Sequence, residues 1–169
     1  GDLEGNYRRA LAAFPSQDVA SRILDQYFIE GGRRAGVRYK PTPLPSLSNH
    51  VAFDEQNAVA SFAEIWLAKQ GHSYPIGLNL LTKLQTQTLP SLLGAMLAGV
   101  DYVLMGAGIP RDIPAILDKL SRHEPAEMKI PIEGPGEAEE GRLRFDPRAV
   151  IPTHLPPLSR PFFIAIISS

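Results

Sequence analysis

Three stretches place ligand-binding residue types where an α/β fold could use them. In VDYVLMGAGIPRDIPAIL (100–117), an apolar run feeds Gly106-Ala107-Gly108 and then a helical pattern. Small residues at a strand-to-helix turn let backbone N–H groups approach a phosphate or a flat ring, because no side chain intervenes. The helix N-terminus adds a potential that favours anions. The same residues also suit a plain tight turn, since G-A-G is shorter than the dinucleotide fingerprint G-x-G-x-x-G. Asn79, inside IGLNLL, is the second candidate. A buried amide without partners costs about 1–3 kcal/mol. At the carboxyl end of a strand Asn79 could meet the polar edge of a cofactor, or it could bond to neighbouring loops. Ser168 and Ser169 close the apolar run PFFIAIISS and would sit at the same rim, where serines are also ordinary turn residues.

Other polar residues carry weaker signals. His50, His72, His123 and His154 are far apart in the chain and share no metal-ligand spacing, so they read as surface or loop residues. Glu124, Glu127, Glu133, Glu137, Glu139 and Glu140 form an acidic run whose simplest reading is a solvated face. Arg33 and Arg34, after Gly31-Gly32, could grip a phosphate or stand as exposed loop charges. No G-x-S-x-G, P-loop or H-E-x-x-H motif occurs. With no cysteine in the chain, disulfides, thiolate metal sites and a cysteine nucleophile are excluded within it.

The elements that must position these residues follow from periodicity. Residues 7–28 predict a helix in two pieces broken at Pro15-Ser16, with Ser16 as the second N-cap and Gly31-Gly32 as the stop. Residues 33–54 read as loop. Glu55–Gln70 reads as a helix burying Val59, Phe62, Ala63 and Trp66, with Gly71 past its end. Tyr74–Leu81 reads as a buried strand, and Thr88–Ala98 as a helix capped by Thr88 with Pro90 in its first turn. Val100–Met105 is the next strand, and Pro110–Arg122 a helix with Ile113, Ile116, Leu117 and Leu120 on one face. Residues 128–150 suggest an antiparallel hairpin insertion. Pro161–Ser169 is almost wholly apolar, as expected for a strand covered on both faces. Helices alternating with strands imply βαβ units and a parallel sheet.

The 169 residues suffice for one domain with a core. A hydrophobic share of 44% and a formal net charge of −1 give no sign of a nucleic-acid or membrane partner. No apolar run approaches the roughly 20 residues of a membrane span. A cysteine-free chain without a signal-peptide pattern fits a cytoplasmic setting.

Taken together, several runs resemble one family. YRRALAAFPSQDVASRILDQYFIEGG, EIWLAKQGH, YPIGLNLLTKLQ, TLPSLLGAMLAGVDYVLMGAGIP and RPFFIAIISS are similar, in this order, to segments of the longer bacterial nitronate monooxygenases, formerly 2-nitropropane dioxygenases. GAMLAGVDYVLMGAGIP is the most specific piece, and only residues around 33–54 and 134–158 fall outside the likeness. The resemblance implies a (β/α)8 TIM-type barrel, seen here in part, with parallel strands and a small hairpin insertion. It also implies non-covalent FMN at the carboxyl ends of the strands. It assigns Asn79 to flavin contact, Gly106-Ala107-Gly108 to a strand-end loop against the flavin, and Ser168 to the next strand end facing the isoalloxazine. On the family pattern, the first flavin loop would precede Gly1, while the catalytic histidine and the phosphate-binding strands would follow Ser169. Residues 1–169 are therefore expected to form an incomplete part of one FMN-binding domain, with the catalytic base outside it.

The expected function is an FMN-dependent oxidoreductase of monooxygenase type that oxidises small alkyl nitronates with O2. The alternatives are an FMN-dependent enoyl-thioester reductase, which would consume NAD(P)H, and a non-catalytic α/β domain binding a partner through residues 128–150. Open sheet edges would invite association, including a homo-oligomer.

Overall fold

Helix α1 (Asn6–Ala12) starts where the Asp2 carboxylate accepts the Tyr7 and Arg8 backbone N–H groups, at 3.1 and 3.0 Å. The computed structural model describes residues 2–45, 51–106, 110–132, 139–152 and 154–166. Pro15 separates α1 from α2 (Gln17–Tyr27) as expected. Ser16 holds the N-cap position with extended backbone, but its side chain makes no capping bond. The neighbouring amide acts instead: Gln17 Nε2 donates to the carbonyls of Leu11, Ala12 and Phe14, satisfying orphan acceptors at the end of α1. Helix α2 ends at an extended Phe28, before Gly31-Gly32, whose left-handed backbones (φ 72° and 85°) shape a later turn.

Helix α3 (Val51–Ala68) begins before the sequence suggests. It buries Val59, Phe62 and Ala63 and leaves Trp66 half-buried. Phe62 meets Phe14 edge to face, with ring centroids 5.1 Å apart. Gly71 follows with φ 78°, as the expected left-handed stop. Strand β1 (Gly77–Leu81) leads into α4 (Gln85–Leu97), which starts three residues ahead of the predicted cap. Thr88 is therefore inside the helix, fully buried, with its hydroxyl donating back to the Leu84 carbonyl at 3.0 Å. Leu89, Leu92, Leu93 and Met96 are buried, as the periodicity requires. Strand β2 (Tyr102–Gly106) precedes α5 (Ile113–Ser121), where all four predicted inward residues are buried.

Within the expected hairpin region, β3 (Ala126–Ile132) and β4 (Glu139–Phe145) pair antiparallel. It is not a detached insertion. Ala126, Met128, Ile130, Leu143 and Phe145 are buried and belong to the same apolar core as α3, α4 and α5. The short α6 (Pro147–Val150) is capped by Asp146, which accepts the Arg148 N–H at 3.0 Å. Strand β5 (Phe162–Ala165) comes last.

The fold is mixed α/β. Strands β1, β2 and β5 form a parallel sheet in that order. The register pairs Gly77, Tyr102 and Phe162 in one row, and Asn79, Leu104 and Ile164 in the next. The alternate residues, Leu78, Leu80, Val103, Met105 and Phe163, pack with the helices. Only that face is covered. Phe162 is 69% exposed and Ile164 43% exposed, so the expectation of strands buried on both faces fails for β1 and β5. Among the described residues the sheet is open and closes no barrel.

Candidate functional site

The carboxyl ends of β1 and β2 are tied together by one threonine. Thr82, just past β1, donates both its backbone N–H and its hydroxyl to the Gly106 carbonyl, each at 3.0 Å. The β1–α4 turn is thereby latched to the last residue of β2. In a βαβ arrangement this is the rim where ligands bind, because turns from adjacent strands converge there on helix N-termini.

A small cavity of about 90 Å³ opens at this rim, lined by Thr82, Gln85, Met105, Pro110, Arg111, Asp112, Ile113, Met128 and Lys129. Arg111 and Lys129 bring two positive charges and Asp112 one negative charge, at the N-terminus of α5. Taking about 30 Å³ per water, the cavity holds about three. Sites for drug-sized ligands start at about 300 Å³, so this cavity alone cannot enclose a flavin.

Asn79 is on that face, and it is exposed where the sequence suggested a buried amide. The apolar neighbours that made it look enclosed, Leu78 and Leu80, point to the opposite side. Among the described residues no hydrogen-bond partner engages the Asn79 side chain, so its donors and acceptor are free to meet a ligand. Gly106 shares the face, one strand across and two residues further along. From sheet spacings the two positions are about 5 Å apart across the strands and about 7 Å along them. A Cβ on Gly106 would come within 3.1 Å of the Ile166 Cβ, so close packing from β5 is itself a reason for glycine there. Ala107, Gly108 and Ser168 lie outside the described residues.

Several polar residues without a clear signal in the sequence are engaged locally. The Arg33 guanidinium donates to the Val37 carbonyl and lies 5.1 Å from the Tyr39 ring centroid. Glu124 pairs with Arg122, while Glu127 pairs with Arg142 and Arg144, which makes this part of the acidic run a salt-bridged surface. Arg111 and Lys129 escaped the sequence reading. Arg111 follows G-A-G-I-P directly and could have been found as a cation before a helix, whereas Lys129 reaches the rim only because the hairpin folds back over α5.

Among the described residues, no group of three or more His, Cys, Asp or Glu side chains could hold a metal ion. No helix there is long and apolar enough to cross a membrane. No family model, curated protein or solved structure matches the chain.

Proposed function

We propose that this chain is part of an FMN-dependent oxidoreductase of the nitronate monooxygenase type, built on a (β/α)8 barrel and oxidising a small alkyl nitronate with O2. A cytoplasmic setting and a small-molecule substrate belong to the same reading. The observation that carries it is the winding of the sheet. The three parallel strands follow one another in chain order, and both crossovers lie on the same face. A doubly wound sheet reverses its strand order and places helices on both faces, whereas a barrel keeps one order and one helical layer. The helix-free face would then be the barrel interior, and Asn79 would project into it from β1. Bound FMN would supply the electron-transfer chemistry. The residues named here would position it, with the Asn79 amide offering a donor and an acceptor to the flavin's polar edge.

The test begins with FMN binding to the purified protein, followed by quenching of flavin fluorescence. Saturable binding is expected, weakened about tenfold in Asn79→Leu by loss of its hydrogen bonds. Protein that binds no FMN would sink the reading. For the loaded protein, nitronate-dependent O2 consumption without NAD(P)H is expected; a requirement for NAD(P)H with an enoyl thioester would favour the reductase alternative.

A further inference from the structure

A second cavity lies at the other end of the molecule. Helix α5 runs antiparallel to the strands, so its C-terminus lies toward their amino ends, as does the segment that leads into β5. Between them is a cavity of about 260 Å³ whose wall includes Arg122, His123, Arg148 and His154. Arg122 and His123 follow α5, Arg148 belongs to α6, and His154 lies in the segment before β5. Two arginines and two histidines line it, and among the described residues none of the lining residues is acidic.

We propose that this cavity binds a small phosphomonoester, with Arg148, Arg122 and the two histidines on the phosphate and the proline-rich wall against a compact apolar portion.

Three observations support an anion. The Arg148 guanidinium and the His154 ring have no partner among the described residues, so their donors are available. Arg122 is bidentate to Glu124, both contacts 2.9 Å, but the pair is about half exposed, and such pairs are weak enough to be exchanged. The C-terminus of α5 would ordinarily repel an anion. Here its last carbonyls are already used: Ser121 Oγ donates to Asp118, the Arg122 and Glu124 N–H groups to Lys119, the His123 N–H to Leu120, and the Leu158 N–H to Ser121. This removes most of the exposed negative potential.

The wall is also held in place. His123 has a left-handed backbone, with φ 55°, the one non-glycine residue of that kind among the described residues, a conformation unfavourable for a residue with a Cβ. Its Nε2 lies 2.9 Å from the Pro156 carbonyl, which ties Pro156 to the end of α5. Pro147, Pro152 and Pro157 limit backbone freedom around the cavity. Arginine's planar fork matches phosphate geometry, and a volume of about nine waters suits a phosphate with a few carbon atoms.

Calorimetric titration with phenyl phosphate and with inorganic phosphate, at constant ionic strength set by chloride, tests this. Saturable binding is expected for both, tighter for phenyl phosphate because of the apolar wall. Arg148→Ala should weaken it about tenfold or more, with Arg148→Lys intermediate and Asn79→Leu without effect. Arg148 is exposed, so circular dichroism should show these variants folded. Absence of saturable binding overturns the proposal, as does binding unchanged in both Arg148→Ala and His154→Ala. Because Asn79→Leu separates this cavity from the flavin face, either reading can fail without the other.

Discussion

Asp101 ties four segments together at the amino ends of the parallel strands. Its Oδ2 accepts from Lys69 Nζ at 2.7 Å and from the Ile76 N–H at 2.8 Å. Its backbone N–H donates to the Ile76 carbonyl, and its carbonyl accepts from Phe162. Lys69, foremost, and then the Ile76 N–H hold its carboxyl below the ordinary 3.8, against partial desolvation. A carboxyl depressed in the folded state stabilises fully above its unfolded value and loses that contribution as pH falls through the lower folded value. The stability gap between wild type and Asp101→Asn should therefore be constant near neutral pH and close at pH below 3.8. Both partners are about a third exposed, so solvent screening limits the gap to about 1 kcal/mol. Urea unfolding from acid to neutral pH measures it, and a gap that does not narrow in acid would refute the account. Nothing in the sequence marked this residue, because its partners are 32 and 25 positions away.

The contact between α3 and α4 depends on a missing side chain. A Cβ built on Gly94 would lie 1.9 Å from the Ala58 carbonyl oxygen and 2.7 Å from its carbon. Those are backbone atoms, so no rotamer change relieves the clash, and the helices must separate. Gly94→Ala should cost about 3 kcal/mol, the upper part of the range for overpacking, even though alanine is the better helix former. Chemical denaturation would show it, and Ala58→Gly should not rescue it, since the clash is with the carbonyl. A loss under 1 kcal/mol would mean the helices have room to move. The helices themselves were legible: α5 buries the four residues its spacing picked out, and Gly71 turns where a helix stop was expected. Their starts were less legible. Thr88 has the chemistry of a cap, but Gln85 already begins the helix, and capping preference yields to tertiary packing once a hydroxyl can bond back into the preceding turn.

Across the whole molecule, the sheet has one covered and one bare face. Parallel sheets occur almost only with both faces covered, yet Leu81, Phe162, Ile164 and Ile166 are each at least 43% exposed here. Under the barrel reading, these side chains face the interior of the working protein. Ile164→Asp should then destabilise by several kcal/mol, since it would bury a carboxylate among apolar groups. Thermal unfolding of the working protein would report it. If the variant melts like the wild type, the face is open to solvent and the barrel reading fails. The hairpin contributes Met128, Ile130, Leu143 and Phe145 to the core.

Local pattern determined most of what is local. Apolar spacing marked the helices, and short β-rich runs marked the strands. The alternation of the two marked the parallel sheet, and Gly/Pro-rich segments marked the turns. These depend on near neighbours in the chain, and near neighbours are what a sequence displays. Tertiary structure decided the rest. It put Asn79 on the bare face and Leu78 and Leu80 on the core, because strand alternation says that sides differ but not which side the helices cover. It placed Ile166, just past β5 and some 60 residues away in the chain, close against Gly106. It also brought Arg122 and His123 to one cavity with Arg148 and His154, where the sequence had read the two histidines as surface or loop residues. Convergence of that kind depends on how helix α5 and the segment before β5 pack in three dimensions, and no spacing along the chain encodes it.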